Sequence, residues 1–248
     1  MPNSNFDQLT LGVGLDDDAQ FENFFVSEAN RPLVNTLLSD SDEPFLYIWG
    51  NGSPGLSHLL QASCHKVTAD GAGAIYLPLR ERSNFQPQIL EGAESLSLVC
   101  IDDIECIAGD AQWEAALFTA FNALRQTGAQ LIIASHMPAQ QLPILLPDLL
   151  SRLQSGLLYQ LVELDDEDKL LALQLRAKKR GLDLPDSVGE FILLRAERHL
   201  PALMRILDAL APRSLPHHPQ PPAPLLQHTL GRHPPLPSPP RPPPPPPP

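Results

Sequence analysis

The sequence predicts an α/β domain, a parallel sheet with crossover helices, followed by a small all-helical piece. Three observations predict it. Short apolar runs alternate with amphipathic stretches between Pro44 and Leu161, the pattern of strand–helix–strand units. Several of those runs are apolar throughout, as strands covered on both faces are. Beyond Leu164 only helical patterns remain. A chain of 248 residues supplies one large domain or two modest ones, enough for a substantial core.

The elements follow in order. Residues 1–20 are polar and acidic around one apolar patch and read as a terminal arm. The folded part is expected from Phe21 to Leu210, as an α/β core over 21–163 and a helical lid over 164–210. Residues 44–49 (PFLYIW) form the first strand, 57–69 a helix, and 74–79 (AIYLPL) the second strand. Residues 97–101 (SLVCI) are continuously apolar and end in two aspartates, as a buried parallel strand does. Trp113, Ala116, Leu117, Ala120, Phe121 and Leu124 place an apolar stripe on a helix over 110–126. A fourth strand over 131–134, a short helix over 146–153 and a fifth strand over 157–161 complete the core. In the lid, Asp165 with Asp168 three residues on caps a helix that runs to Arg180 and is closed by Gly181. Pro185 starts a second helix through Arg195, and a third spans 200–210.

Composition narrows the function. Seventeen Lys and Arg stand against 29 Asp and Glu, a net charge of −12. Broad electrostatic binding to nucleic acid or to an anionic membrane needs the opposite sign. Eighteen of the 29 prolines fall between Pro212 and Pro248, where no acidic residue occurs. Residues 211–248 are accordingly read as a disordered, proline-rich tail. Three cysteines are too few for a disulfide scaffold, no apolar run is long enough to span a membrane, and no secretory signal is visible. These point to a soluble cytoplasmic protein.

The chemistry sits at two strand ends. The first strand leads into 50–58 (GNGSPGLSH), which fits the phosphate-loop spacing G-x-x-x-x-G-K-[ST] except at one position. Gly50, Gly52 and Gly55 let the backbone curl its N–H groups onto phosphate oxygens, and the following helix adds its positive end. Ser57 stands where a hydroxyl would hold Mg²⁺, with His58 after it. Leu56 stands where the motif has Lys, so the cation that neutralises the β and γ phosphates is missing. About 45 residues further on, the apolar run 98–101 meets Asp102 and Asp103, placed to hold the metal through water and to orient an attacking water.

Together these residues resemble the AAA+ P-loop core of the bacterial DnaA/Hda group. The resemblance covers about residues 6–210. It rests on 21–24 (FENF) with Asn30, the 50–60 loop and helix start, 101–107 (IDDIECI), 146–153 (LPDLLSRL) and the lid opening 164–169 (LDDEDK). It implies a nucleotide cradle, for ADP and, where nucleotide is bound, for Mg²⁺ through Ser57 and Asp102. It also implies that Arg152 is an arginine finger reaching a neighbouring subunit's nucleotide. Such a finger in trans is worth roughly a thousand- to hundred-thousand-fold in rate. Without the resemblance, Arg152 reads as a surface residue one turn from Asp148.

The arm 8–13 (QLTLGV) resembles the group's sliding-clamp-binding motif. Gln8 would be fixed by hydrogen bonds while Leu9, Leu11 and Val13 enter an apolar groove. Gly12 replaces a family proline and Val13 a leucine, which loses preorganisation and buried area. Two departures bear on nucleotide chemistry. His136 takes the sensor position after the fourth strand, usually Asp, and Pro201 the sensor-2 position, with Arg198 and Arg205 one turn to either side.

The resemblance therefore implies an adaptor that is not itself an enzyme. It would dock on the DNA-loaded clamp of the replicative polymerase, touch DNA only through that clamp, and present Arg152 to ATP-bound DnaA. Hydrolysis of DnaA's ATP would then prevent re-initiation of replication. Self-association into a homo-oligomer stays open. The alternatives are an autonomous AAA+ ATPase of helicase-loader or initiator type, and a remnant that binds a partner without nucleotide. Leu56, His136 and Pro201 all speak against the ATPase. Nothing after the lid has the charge or pattern of a helix-turn-helix domain.

Overall fold

The computed structural model describes residues 14–39, 43–52, 55–195 and 200–210. Five strands form one parallel sheet: β1 (Phe45–Trp49), β2 (Ala74–Pro78), β3 (Leu98–Asp102), β4 (Gln130–Ser135) and β5 (Leu157–Gln160). Their order across the sheet is β2-β3-β4-β1-β5. Register pairs Tyr47 with Ile133, Cys100 with Ile132, and Tyr76 with Cys100.

Consecutive side chains leave a strand on opposite faces, and two cores result. On one face Tyr47, Val99, Ile101, Leu131 and Ile133 pack against α3 (Ala111–Thr127) and α4 (Pro147–Leu153). On the other, Leu46, Ile48, Leu98, Cys100 and Ile132 pack against α1 (Arg31–Leu38) and α2 (Leu56–Ala69). Both faces being covered explains why these strands read as apolar runs.

The predicted stripe on α3 is buried at Trp113, Leu117, Ala120, Phe121 and Leu124. Asp110 caps that helix, accepting from the backbone N–H of Gln112 and Trp113, and Gly128 ends it in the left-handed conformation. In the lid, α5 (Asp166–Lys179) is capped by Asp165, which accepts from the Asp168 N–H (2.8 Å). With α6 (Asp186–Arg195) and α7 (Leu200–Leu210) it closes a third apolar cluster around Leu173, Ile192, Leu203 and Leu207.

Two features depart from the sequence reading. The strand–helix alternation breaks between β2 and β3, where the chain makes three 3-10 turns, Leu79–Asn84, Pro87–Leu90 and Ala93–Ser95. Pro87 and Gly92, the latter left-handed, interrupt any longer helix there. Helix α1 was not expected. Its eight residues bury Leu33, Val34 and Leu37, while Asn30 at its N-terminus is itself buried. Asn30 Nδ2 donates to the Val162 carbonyl and its Oδ1 accepts from the Val162 N–H, both at 2.8 Å. This clasp ties α1 to the strand end that leads into the lid.

Candidate functional site

The phosphate loop joins β1 to α2. Gly50 N–H donates to the Ser135 carbonyl (3.1 Å), fixing the loop's start against β4. Gly52 and Gly55 both have positive φ, +78° and +104°, where a side chain is disfavoured. At Gly55 a second constraint applies, because a Cβ would lie 2.8 Å from Phe24 Cε2. The Phe24 ring lies against the loop and 5.5 Å from the His58 ring, tilted at 45°. His58 Nε2 pairs with the Gln20 carbonyl (2.8 Å), and burial pushes its pKa below the usual imidazole value.

Leu56, in the lysine's place, is 4% exposed and belongs to the apolar core on the α1/α2 face. The position has become hydrocarbon packing. Ser57 beside it remains exposed.

Beyond the loop, Asp102 ends β3 and is 3% exposed. The Tyr76 hydroxyl donates to its Oδ2 (2.8 Å), and the Asp103 N–H donates to its Oδ1 (3.0 Å). Burial, then the charge of Asp102, pushes the Tyr76 pKa far above its ordinary value, so the phenol keeps its proton as donor. Each Asp102 oxygen keeps a second lone pair beyond these bonds, so Asp102 and the exposed Ser57 hydroxyl are the groups that would hold a Mg²⁺ there.

Asp103 adopts φ +54°, the left-handed region rarely used by a non-glycine residue. Its Oδ1 accepts from Arg80 Nη2 (3.0 Å) and lies 3.2 Å from His136 Nε2. Glu105 Oε2 accepts from the Ser135 hydroxyl (2.8 Å), and its Oε1 lies 4.0 Å from His136 Nε2. The sequence reading placed Asp102, Asp103 and His136 near the nucleotide. It missed Tyr76, in the middle of β2, and Arg80, just past that strand's carboxyl end, where ligands of open parallel sheets bind.

Arg152 stands in the last turn of α4, half-buried, and its guanidinium has no hydrogen bond or ion pair among the described residues. The i−4 pairing with Asp148 does not form. Leu149 and Leu153 of α4 pack in the core on the α3 face, whereas α2 packs on the other. The sheet thus separates Arg152 from this chain's own phosphate-loop helix. Glu114 of α3, 1% exposed, holds the α4 segment in place. Its two oxygens accept from the backbone N–H groups of Gly109 (2.8 Å), Leu145 (2.9 and 3.0 Å) and Leu146 (2.8 Å), just ahead of Pro147.

Gln8, Leu9, Leu11 and Val13 lie outside the described residues, as do Arg198 and the expected proline-rich tail over 211–248. Pro201 falls in the first turn of α7, and Arg205 is exposed on the same helix.

A parallel sheet ordered β2-β3-β4-β1-β5, a phosphate loop after β1, an acidic pair at the end of β3 and a helical lid define an AAA+ nucleotide-binding fold. Comparison with known proteins makes this specific. The family profile of the bacterial DnaA ATPase domain matches residues 15–160, more than half of the chain, and that of the Hda lid domain matches 166–230. The chain belongs to the bacterial DnaA family of AAA+ proteins and carries an Hda-type lid.

Solved structures agree on the fold. Domain III of the Thermotoga maritima initiator DnaA superposes with a TM-score of 0.70 at 23% identity, over 81% of this chain and 90% of that one. DnaA from Aquifex aeolicus bound to AMPPCP gives 0.68 at 24% identity, over 79% of this chain and 66% of that one. The Thermotoga maritima branch-migration motor RuvB gives 0.61 at 13% identity, over 86% and 72%. This chain thus spans about two thirds of the Aquifex initiator's length.

Proposed function

We propose that this protein is an adaptor that stimulates hydrolysis of DnaA-bound ATP, supplying Arg152 in trans while its N-terminal arm docks on the DNA-loaded sliding clamp. Membership of the DnaA family and the Hda-type lid support a regulator of DnaA. The observation that carries the finer reading is Arg152, a guanidinium without a partner among the described residues. It sits across the sheet from the chain's own phosphate-loop helix. An arginine so placed is available to a γ-phosphate in a neighbouring molecule. There, fixed charge stabilises the transferring phosphoryl group.

The chain's own loop serves as a cradle for ADP rather than as an ATPase. Backbone N–H groups and the start of α2 can hold a diphosphate. The lysine that catalysis needs is a buried leucine, and Asp103 is engaged by Arg80 and His136. An autonomous ATPase has both against it.

The test is DnaA ATPase activity with DNA-loaded clamp, on adding wild type or Arg152→Ala. Stimulation should fall by at least about a thousandfold in the catalysed rate with Arg152→Ala while clamp binding persists. Equal stimulation by both forms would remove the finger. Loss of clamp binding on mutating Gln8 and Leu9, with Arg152 intact, tests the tether separately.

A further inference from the structure

Past the carboxyl ends of β3 and β4, three side chains from two parts of the chain converge. Asp103 Oδ1, Glu105 Oε1 and His136 Nε2 all lie within 4.8 Å of one another, with Asp103–His136 at 3.2 Å and Glu105–His136 at 4.0 Å. Donors about 2.0–2.2 Å from one ion stand roughly 3–4 Å apart, so small side-chain rotations bring the three onto a common centre. The left-handed turn at Asp103 aims one carboxylate, and the 3-10 turn Ile104–Ile107 aims the next.

The surroundings are those of a ligand set. Glu105 uses its second oxygen to accept from the Ser135 hydroxyl (2.8 Å), and the Ser135 oxygen in turn accepts from the Met137 N–H (3.2 Å). Outer hydrogen bonds of this kind orient metal-binding carboxylates. A cation already answers the cluster's charge: Arg80 Nη2 lies 3.0 Å from Asp103 Oδ1 and 3.3 Å from His136 Nε2. Arg80's side chain is 68% exposed, so it can leave for solvent at little cost. An imidazole nitrogen beside two carboxylates selects borderline transition metals over Mg²⁺ or Ca²⁺, which take all-oxygen sites.

We propose that Asp103, Glu105 and His136 bind a transition-metal dication of the Zn²⁺ class, with Arg80 as the cation that closes the site when the metal is absent. The site adjoins Asp102, whose Oδ1 accepts from the Asp103 N–H, and does not depend on bound nucleotide. A metal there would also hold the Asp103 carboxylate away from any water attacking a phosphate.

The experiment is titration of the full chain with Zn²⁺ by calorimetry and with Co²⁺ by absorption, without nucleotide, alongside Mg²⁺ as the hard-ion probe. One Zn²⁺ or Co²⁺ per chain and no Mg²⁺ is expected. His136→Ala should weaken Zn²⁺ binding by roughly a hundredfold or more, and Ser135→Ala by roughly tenfold. Arg80→Gln should move the other way, tightening it by about two- to fivefold. Cys106→Ser should leave the Co²⁺ spectrum unchanged, and melting curves confirm that each variant is folded. Binding that survives His136→Ala unaltered would place the metal elsewhere, for instance on the histidines of residues 211–248, and overturn the assignment. So would a thiolate-to-Co²⁺ charge-transfer band, or failure of the wild type to retain either metal.

Discussion

Glu114 gives the sharpest test of how the fold holds Arg152. Its carboxylate is 1% exposed and accepts from three backbone N–H groups, those of Gly109, Leu145 and Leu146. Hydrogen bonds to a charged acceptor contribute about 1.5–3 kcal/mol each, and a buried donor left unpaired costs about 1–3 kcal/mol. In Glu114→Gln one oxygen becomes an NH₂ that faces a backbone N–H, so at least one donor loses its acceptor. The expected loss is about 2–3 kcal/mol. In a chain of this size that is roughly 4–12 °C in Tm. Glu114→Ala abandons all three donors and should cost about 3–5 kcal/mol, partly relieved where water reaches the exposed Leu145. Urea denaturation followed by circular dichroism measures both, with an unchanged slope confirming that the same transition is compared. On the proposed function, stimulation of DnaA by Glu114→Gln should fall further than its folded fraction predicts, because the segment leading into α4 is no longer pinned. A Glu114→Gln protein within about 0.5 kcal/mol of wild type would refute the assignment of Glu114 as the anchor of that segment.

Other outcomes follow from the same structure. Tyr76→Phe removes the hydroxyl that donates to the buried Asp102 carboxylate and should cost about 1–3 kcal/mol in urea denaturation. Asn30→Ala breaks both hydrogen bonds to Val162 and should cost about 1–3 kcal/mol in urea denaturation, with Asn30→Asp worse because it sets a carboxylate against a carbonyl. The pKa of His58 is lowered in the folded state, so its contribution to stability is complete above the unfolded value near 6.5 and is lost as pH falls through the folded value. Melting temperature should therefore drop between pH 7 and pH 5, less steeply in His58→Gln. Gly55→Ala forces a side chain into positive φ and against Phe24, and should both destabilise the chain and weaken ADP binding.

The strands were legible because burial on both faces leaves an unbroken apolar run, and the first lid helix because Asp165 with Asp168 three residues on marks its cap. Helix α1 was not, since eight residues beginning Arg31–Pro32 carry too short a stripe to stand out. The loop and the acids of β3 were readable as motifs. What they do here depends on side chains distant in sequence. Tyr76 reaches Asp102 only because β2 and β3 are in register, and Arg80 reaches Asp103 only because the chain turns back after β2. Glu114 left a trace: with Leu117 and Phe121 it falls at i, i+3 and i+7, a charge on the buried stripe of α3. The sequence could show that it was odd, but not which N–H groups it meets.

The short stretch from Asp16 to Gln20 is stitched in several directions. Asp16 N–H donates to Gln61 Oε1 and its carbonyl meets His65, the Gln20 carbonyl meets His58, and Asp18 receives Arg176 of α5 and Arg180 just past its end. Taken singly, the exposed pairs contribute little. Arranged across the chain's path, they act as a mooring. Tension along the polypeptide ahead of Asp16 is delivered in shear to α2 and to the lid together, instead of peeling either one from the core. A protein held by its first residues thus feels the line at the same two elements that frame its nucleotide loop.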